Sequence, residues 1–215
     1  FQNMTIVPMG APQEVFLISN AKQIKEIINS RNDQEKYHFQ LNFTQNVQDN
    51  VFLTTQLLKE VRGYISLNLK RCDITDKHCE LLTHLFNMKN LNIYSLDLSF
   101  NKITDEGLKH LIPTSSFMRL LHLNLSFTDI TSKSIGIYAQ TVTSSGAQLQ
   151  LISLNLTGTM ISDDSKQNFV VLFNGSKQLQ NLSLSATSLK IRTAQEIVSQ
   201  LSKSRVIQSV NMSCL

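Results

Sequence analysis

At 215 residues, with 41% hydrophobic and 17% charged side chains, the chain is long enough for one large domain or two small ones and can bury a proper core. Trp is absent, and 7 Gly and 3 Pro are too few for a sandwich or barrel built on tight turns. The formal net charge of +4 and pI near 9.0 are mildly basic, but the 20 Lys and Arg are spread along the chain, so nucleic acid is not indicated as a partner, and no apolar run approaches the roughly 20 residues of a membrane-spanning helix.

The chain opens on Phe1 rather than Met, which points to a removed leader or a start inside a longer product. Phe1 to Pro12 hold two of the three prolines and Gly10 without periodicity, the pattern of an extended arm. Glu14 to Ile18 is a short apolar run that reads as a strand. Asn20 then caps a helix with Ile24, Ile27 and Ile28 on one face, ending in the polar run Ser30 to Lys36. Residues 1–37 are expected to form an extended arm and a capping helix, since the end of a stacked array needs a cover with one polar face.

From His38 onward a repeat takes over. The first residues of successive L-x-L pairs are Leu41, Leu67, Leu96, Leu123, Leu154, Leu182 and Val210, at intervals of 26, 29, 27, 31, 28 and 28. Three residues after the second member of each pair stands a small polar shelf residue: Asn46, Cys72, Asn101, Thr128, Thr159 and Thr187, with Leu215 last. Two further on, an apolar slot holds Ile74, Ile103, Ile130, Ile161 and Leu189; the first repeat departs, with Gln48 in the slot, so its turn is read as irregular. Alternation along a strand points the paired leucines inward, and the shelf residue is expected to turn the chain by bonding to backbone of the adjacent coil. Asp76, Asp105, Ser132 and Asp163 then read as helix caps. The position seven past the shelf gives an inward helix column of Leu53, Cys79, Leu108, Ile135 and Ala194, broken by Lys166, where Phe169, Val170 and Leu172 take over the packing.

The clearest unit is Tyr94 to Leu111, YSLDLSFNKITDEGLKHL, in which Leu96, Leu98, Asn101 and Ile103 fit L-x-L-x-x-N-x-L. Repeats near 28 residues with a full helix and the phrase ITDEGL resemble the ribonuclease-inhibitor class of leucine-rich repeat proteins, over about Phe39 to Leu215. The resemblance implies an α/β solenoid, an arc or horseshoe with parallel strands on the concave face and helices on the convex face. It also implies a protein-binding role. The expected division is residues 38–215 as six repeats plus a terminal strand, and that bare strand is expected to be covered by more chain or by another subunit.

Repeat alignment assigns the concave surface. Asn42, Asn68, Asp97, Asn124, Asn155, Ser183 and Asn211 lie between the paired apolar residues, with Gln40, Ser66, Ser95, His122, Ser153, Asn181 and Ser209 before them. This face is small, polar and nearly uncharged, unlike an interface hot spot. Lys70, Arg71, Asp97, Phe100, His122 and Phe127 stand out from it and form the expected protein-binding patch.

Catalytic chemistry is not expected. Ser95, Asp97 and His122 fall on adjacent strands, but an open sheet offers neither a buried base nor an oxyanion hole. Cys72, His78, Cys79 and His84 could be arranged about a metal, yet Cys72 is a shelf residue and Cys79 a helix-core residue, so no metal is expected. No glycine-rich phosphate motif occurs, and no cofactor or small-molecule substrate is expected.

Three cysteines, Cys72, Cys79 and Cys214, make no extracellular framework. Of seven N-x-[ST] sequons, at Asn3, Asn42, Asn124, Asn155, Asn174, Asn181 and Asn211, four fall in the Asn ladder of the repeat, so an intracellular protein is expected, mitochondrial or cytoplasmic and cytoskeletal. The function expected is a non-catalytic scaffold or accessory subunit of a hetero-oligomeric assembly. The alternative is a regulatory recognition module, either a substrate arm of a ubiquitin ligase or a GTPase regulator using Arg71.

Overall fold

A computed structural model describes residues 15–18, 22–29, 36–41, 51–52, 54, 58, 63–88, 91–146, 148–201 and 206–215. Among them eight strands form one parallel sheet in chain order: β1 (Val15–Ile18), β2 (Lys36–Leu41), β3 (Gly63–Asn68), β4 (Leu91–Asp97), β5 (His122–Asn124), β6 (Ser153–Asn155), β7 (Asn181–Ser183) and β8 (Ser209–Asn211). Parallel neighbours need a crossover, and among the described residues helices supply six of the seven. These are α1 (Lys22–Asn29), α2 (Asp76–Phe86), α3 (Asp105–Leu111), α4 (Ser132–Ser145), α5 (Lys166–Gly175) and α6 (Ile191–Leu201), with a 3-10 turn at Phe117–Arg119 after α3. The result is an α/β repeat solenoid with the strands on its concave side.

The register runs Leu67 to Leu96, Leu123, Leu154, Leu182 and Val210 across successive strands. From Leu67 and Leu69 to Leu182 and Leu184 every paired leucine is buried, each contributing about 1.5–3 kcal/mol against exposure. Ile74, Ile103, Ile130, Ile161 and Leu189 are buried behind them. The 29-residue interval from Leu67 to Leu96 has a local cause: the register shifts between Ile65 and Ser66, so Tyr94 is an extra residue on the bulged strand.

At the first repeat the structure corrects the sequence alignment. Leu67 pairs with Phe39, not Leu41, so the first interval is 28 residues rather than 26. Phe39-Gln-Leu41 and Leu41-Asn-Phe43 are equally good alternations, and pairing with β3 selects the former. The sheet also begins before His38, because β1 pairs in parallel with β2, Phe16 opposite Phe39. Ile27 of α1 packs against the core. The arm Phe1 to Pro12, the cap Asn20 and the turn holding Asn46 and Gln48 lie outside the described residues, as does Leu53 of the helix column.

In that column Cys79, Leu108, Ile135 and Ala194 are buried, whereas Lys166 is exposed and ion-paired with Glu196. A 3-10 turn at Asp163–Ser165 precedes α5 and shifts its phase, so Phe169, Leu172 and Phe173 fill the core while Val170 is half-buried.

The helix caps fall one residue earlier than expected. Thr75, Thr104, Thr131 and Ser162 are the cap residues, and Asp76, Asp105, Ser132 and Asp163 open the helical segments. Thr104 Oγ1 accepts from Glu106 N–H at 3.2 Å and Thr131 Oγ1 from Lys133 N–H at 3.2 Å. The acids are thereby free to join repeats. Asp76 accepts from Thr104 N–H at 2.8 Å and Thr104 Oγ1 at 2.7 Å. Asp105 accepts from Thr131 N–H at 2.9 Å, Thr131 Oγ1 at 2.7 Å and Ser134 N–H at 3.1 Å. Ser132 Oγ accepts from Ser162 N–H at 2.9 Å, and Asp163 from Lys190 N–H at 3.0 Å. Gly107 makes room for this staircase, since a Cβ there would lie 2.4 Å from Asp76 Oδ1.

Candidate functional site

The polar ladder of the concave face is largely consumed by its own backbone. Asn68 Oδ1 accepts from Lys70 N–H at 3.0 Å, Asp97 Oδ1 from Ser99 N–H at 2.8 Å, Asn124 Oδ1 from Ser126 N–H at 3.1 Å, Asn155 Oδ1 from Thr157 N–H at 3.0 Å and Asn211 Oδ1 from Ser213 N–H at 3.1 Å. Each is an Asx turn that closes the strand and starts the bend, which explains why Asn or Asp recurs there. The face is accordingly poor in free acceptors aimed at a partner.

Where each strand ends, the next structural column carries exposed side chains. Arg71, Phe100, Phe127, Gly158, Ala186 and Cys214 all have left-handed backbone, with φ of 55°, 57°, 53°, 67°, 51° and 62°. For the non-glycine members this costs about 1–2 kcal/mol each. The conformation is held by a ladder in which Arg71 N–H donates to Ser99 O at 3.1 Å, Phe100 N–H to Ser126 O at 2.9 Å and Phe127 N–H to Thr157 O at 2.8 Å.

Their side chains form a stack along this rim. The Phe100 and Phe127 rings lie 4.5 Å apart at 20°, 37% and 47% exposed. Arg71 Cζ sits 4.6 Å from the Phe100 centroid and Lys70 Nζ 5.2 Å from it, so two cations meet one ring. The Phe127 ring rests over Gly158, where an added Cβ would come within 2.6 Å of two ring carbons. Gly158 belongs to the site and was passed over in the sequence, although repeat alignment puts it in the slot of Arg71, Phe100 and Phe127.

The six expected contact residues thus fall into two groups. Lys70, Arg71, Phe100 and Phe127 come together at the rim. Asp97 and His122 lie apart from them in a shallow depression of about 200 Å³ on the strand face, with Ser95, Asn124, Ser153 and Asn155. Burial lowers the His122 pKa, which leaves its ring neutral at pH 7. Ser95 pairs with His122 across β4 and β5, but the Asp97 carboxylate is taken by Ser99 N–H and by Asn124 Nδ2 at 3.1 Å. The triad geometry, in which a carboxylate orients the imidazole, is therefore not the one built here.

The sulfur and imidazole groups have structural neighbours. Cys72 and Cys79 are fully buried, and burial first, then Asp76, pushes the Cys79 thiol up to about 12. His78 Nδ1 accepts from Thr75 N–H at 3.0 Å at the start of α2, while His84 is exposed on the same helix. The shelf also differs from expectation. Asn101 bridges coils, donating to Leu69 O at 2.9 Å and accepting from Cys72 N–H and Ile74 N–H at 3.0 Å each. Thr128, Thr159 and Thr187 instead donate to Leu125 O, Leu156 O and Leu184 O of their own repeat, closing the turn locally. Apart from the stack, Phe52, Tyr64, Met160 and Ile191 are exposed apolar side chains.

Comparison with known proteins agrees with this geometry. A family model described as Leucine Rich repeat matches residues 89–111. An internalin from Listeria monocytogenes is 18% identical, with a TM-score of 0.50 over 84% of this chain and 48% of its own, so this chain spans about half the internalin's length. The second actin-binding site of leiomodin-1 is 14% identical, with a TM-score of 0.48 over 75% of this chain and 91% of its own. No curated protein sequence matches. At 18% identity the likeness to the internalin is one of fold. Among the described residues no helix is long and apolar enough to cross a membrane.

Proposed function

We propose that this leucine-rich repeat chain is a non-catalytic protein-binding module, a scaffold or accessory subunit of a multi-protein assembly inside the cell, and that it holds its partner through the rim patch Lys70, Arg71, Phe100 and Phe127. Leucine-rich repeats generally serve protein interaction. The observation that carries the reading is the Phe100–Phe127 stack, held partly exposed on strained backbone beside a face whose Asn and Asp side chains are tied to their own backbone. Aromatic and Arg side chains on a rigid support are the usual anchors of an interface, since little conformational freedom is lost when they are covered. Strain kept at an exposed position is itself a pointer to use. Three free thiols, two of them core residues, favour a reducing compartment.

A GTPase regulator would present its Arg free of the surface, and the Arg71 guanidinium is instead laid on Phe100. The test is amine-directed crosslinking mass spectrometry on the native assembly. Crosslinks to other subunits are expected at Lys70 and Lys102 on the rim. Crosslinks confined to Lys109, Lys133 and Lys177 on the helical side would reject the rim as the contact.

A further inference from the structure

Resting on the rim reading, we infer that the segment bound there is an extended acidic peptide of a partner protein, with a carboxylate about three residues from an apolar side chain. With Arg71 Cζ 4.6 Å from the Phe100 centroid, the ring engages the guanidinium charge without supplying a lone-pair acceptor, and a five-donor guanidinium keeps N–H groups for other acceptors. Among the described residues neither Arg71 nor Lys70 has an ion pair, although both converge on one ring. Two uncompensated cations on a fixed backbone favour a carboxylate, which an Arg fork holds through paired, charge-assisted hydrogen bonds. Lys70 N–H is tied to Asn68 Oδ1 and Arg71 N–H to Ser99 O, so both side chains start from rigid stems.

The apolar half of the site lies two repeats on. The Phe127 ring fills the place over Gly158, and the column continues beyond it with the small, exposed Ala186, so the partly exposed ring offers its far edge to an apolar side chain. Ring edges carry partial positive charge and tolerate acidic neighbours. Repeats stand ~4.8 Å apart, so Arg71 and Phe127 are separated by roughly 10 Å, about three residues of extended chain at ~3.3 Å each. A polyanion such as nucleic acid fits poorly. The neighbouring exposed column runs Asp73, Lys102, Asp129, alternating in sign where a phosphate backbone needs a basic stripe.

The experiment is fluorescence anisotropy on the full chain, using a labelled peptide, Glu-Asp-Ser-Ser-Phe-Ser-Glu, and its Gln/Asn isostere. The acidic peptide is expected to bind about tenfold tighter than the isostere at low ionic strength, with the preference lost by about 0.5 M salt. Arg71→Gln should abolish the preference and Arg71→Lys restore part of it, while Phe127→Ala weakens both peptides; circular dichroism checks that each variant folds. Equal binding of the two peptides, or a preference unmoved by Arg71→Gln, overturns the carboxylate inference, and loss with Phe127→Ala would still leave the rim as a contact. Binding of neither peptide, or equal displacement by single-stranded DNA of the same charge, overturns it too. The rim itself is judged separately by the crosslinking pattern.

Discussion

Phe127 rests where a side chain on residue 158 would be, and Gly158 also carries a φ of 67° that an L side chain adopts at a cost. Gly158→Ala should therefore lower stability by about 1–2 kcal/mol from backbone strain, read by chemical denaturation, and should expose Phe127 further by tilting its ring off the stack. A variant as stable as wild type would mean that the ring and backbone relax freely. At this scale the sequence was half legible. Repeat alignment put Arg71, Phe100 and Phe127 in one slot because their spacing is that of the strands. It gave no sign that the slot has left-handed backbone, since Arg and Phe are not residues that advertise positive φ. The same alignment grouped Asp97 and His122 with them, and the structure separates these two because they face the strand side before the chain bends.

Each helix start shows how two reasonable local signals compete. Thr-Asp occurs at Thr75-Asp76 and Thr104-Asp105, and either residue of such a pair can cap. The Thr wins because the Asp gains more by bonding to the next repeat, a gain visible only when coils are stacked. Desolvation raises the Asp105 pKa, but hydrogen bonds from Ser134 and Thr131 outweigh it, and the net shift is downward. A carboxylate whose folded pKa is depressed stabilises the fold above its unfolded value of about 3.9, and this contribution fades as pH falls through the folded pKa. Asp105→Asn should cost about 1–2 kcal/mol at pH 7, and the gap to wild type should close as pH drops below about 4, as followed by urea unfolding across pH. A gap independent of pH would show that the ionised carboxylate is not what joins these repeats.

For the molecule as a whole, stability is a chain of interfaces between neighbouring repeats rather than one shared core. Asn101 is a principal fastener of one such interface, and Asn101→Ala leaves the buried Cys72 N–H, Ile74 N–H and Leu69 carbonyl without it. The expected loss is at least about 3 kcal/mol, with a shallower denaturant slope as the two flanks unfold less cooperatively. An unchanged slope would mean that the array still unfolds as one unit. The solenoid itself was readable from sequence alone, because the inward alternation of leucines and the spacing of shelf and slot are properties of each coil taken singly. Pairing between coils decided the rest: Phe39 over Leu41, Thr over Asp at the caps, and which polar side chains are already satisfied. The two partners of those bonds lie about a whole repeat apart in the chain, so no local pattern records them, and the exposed stack on the rim emerges only once they have been made.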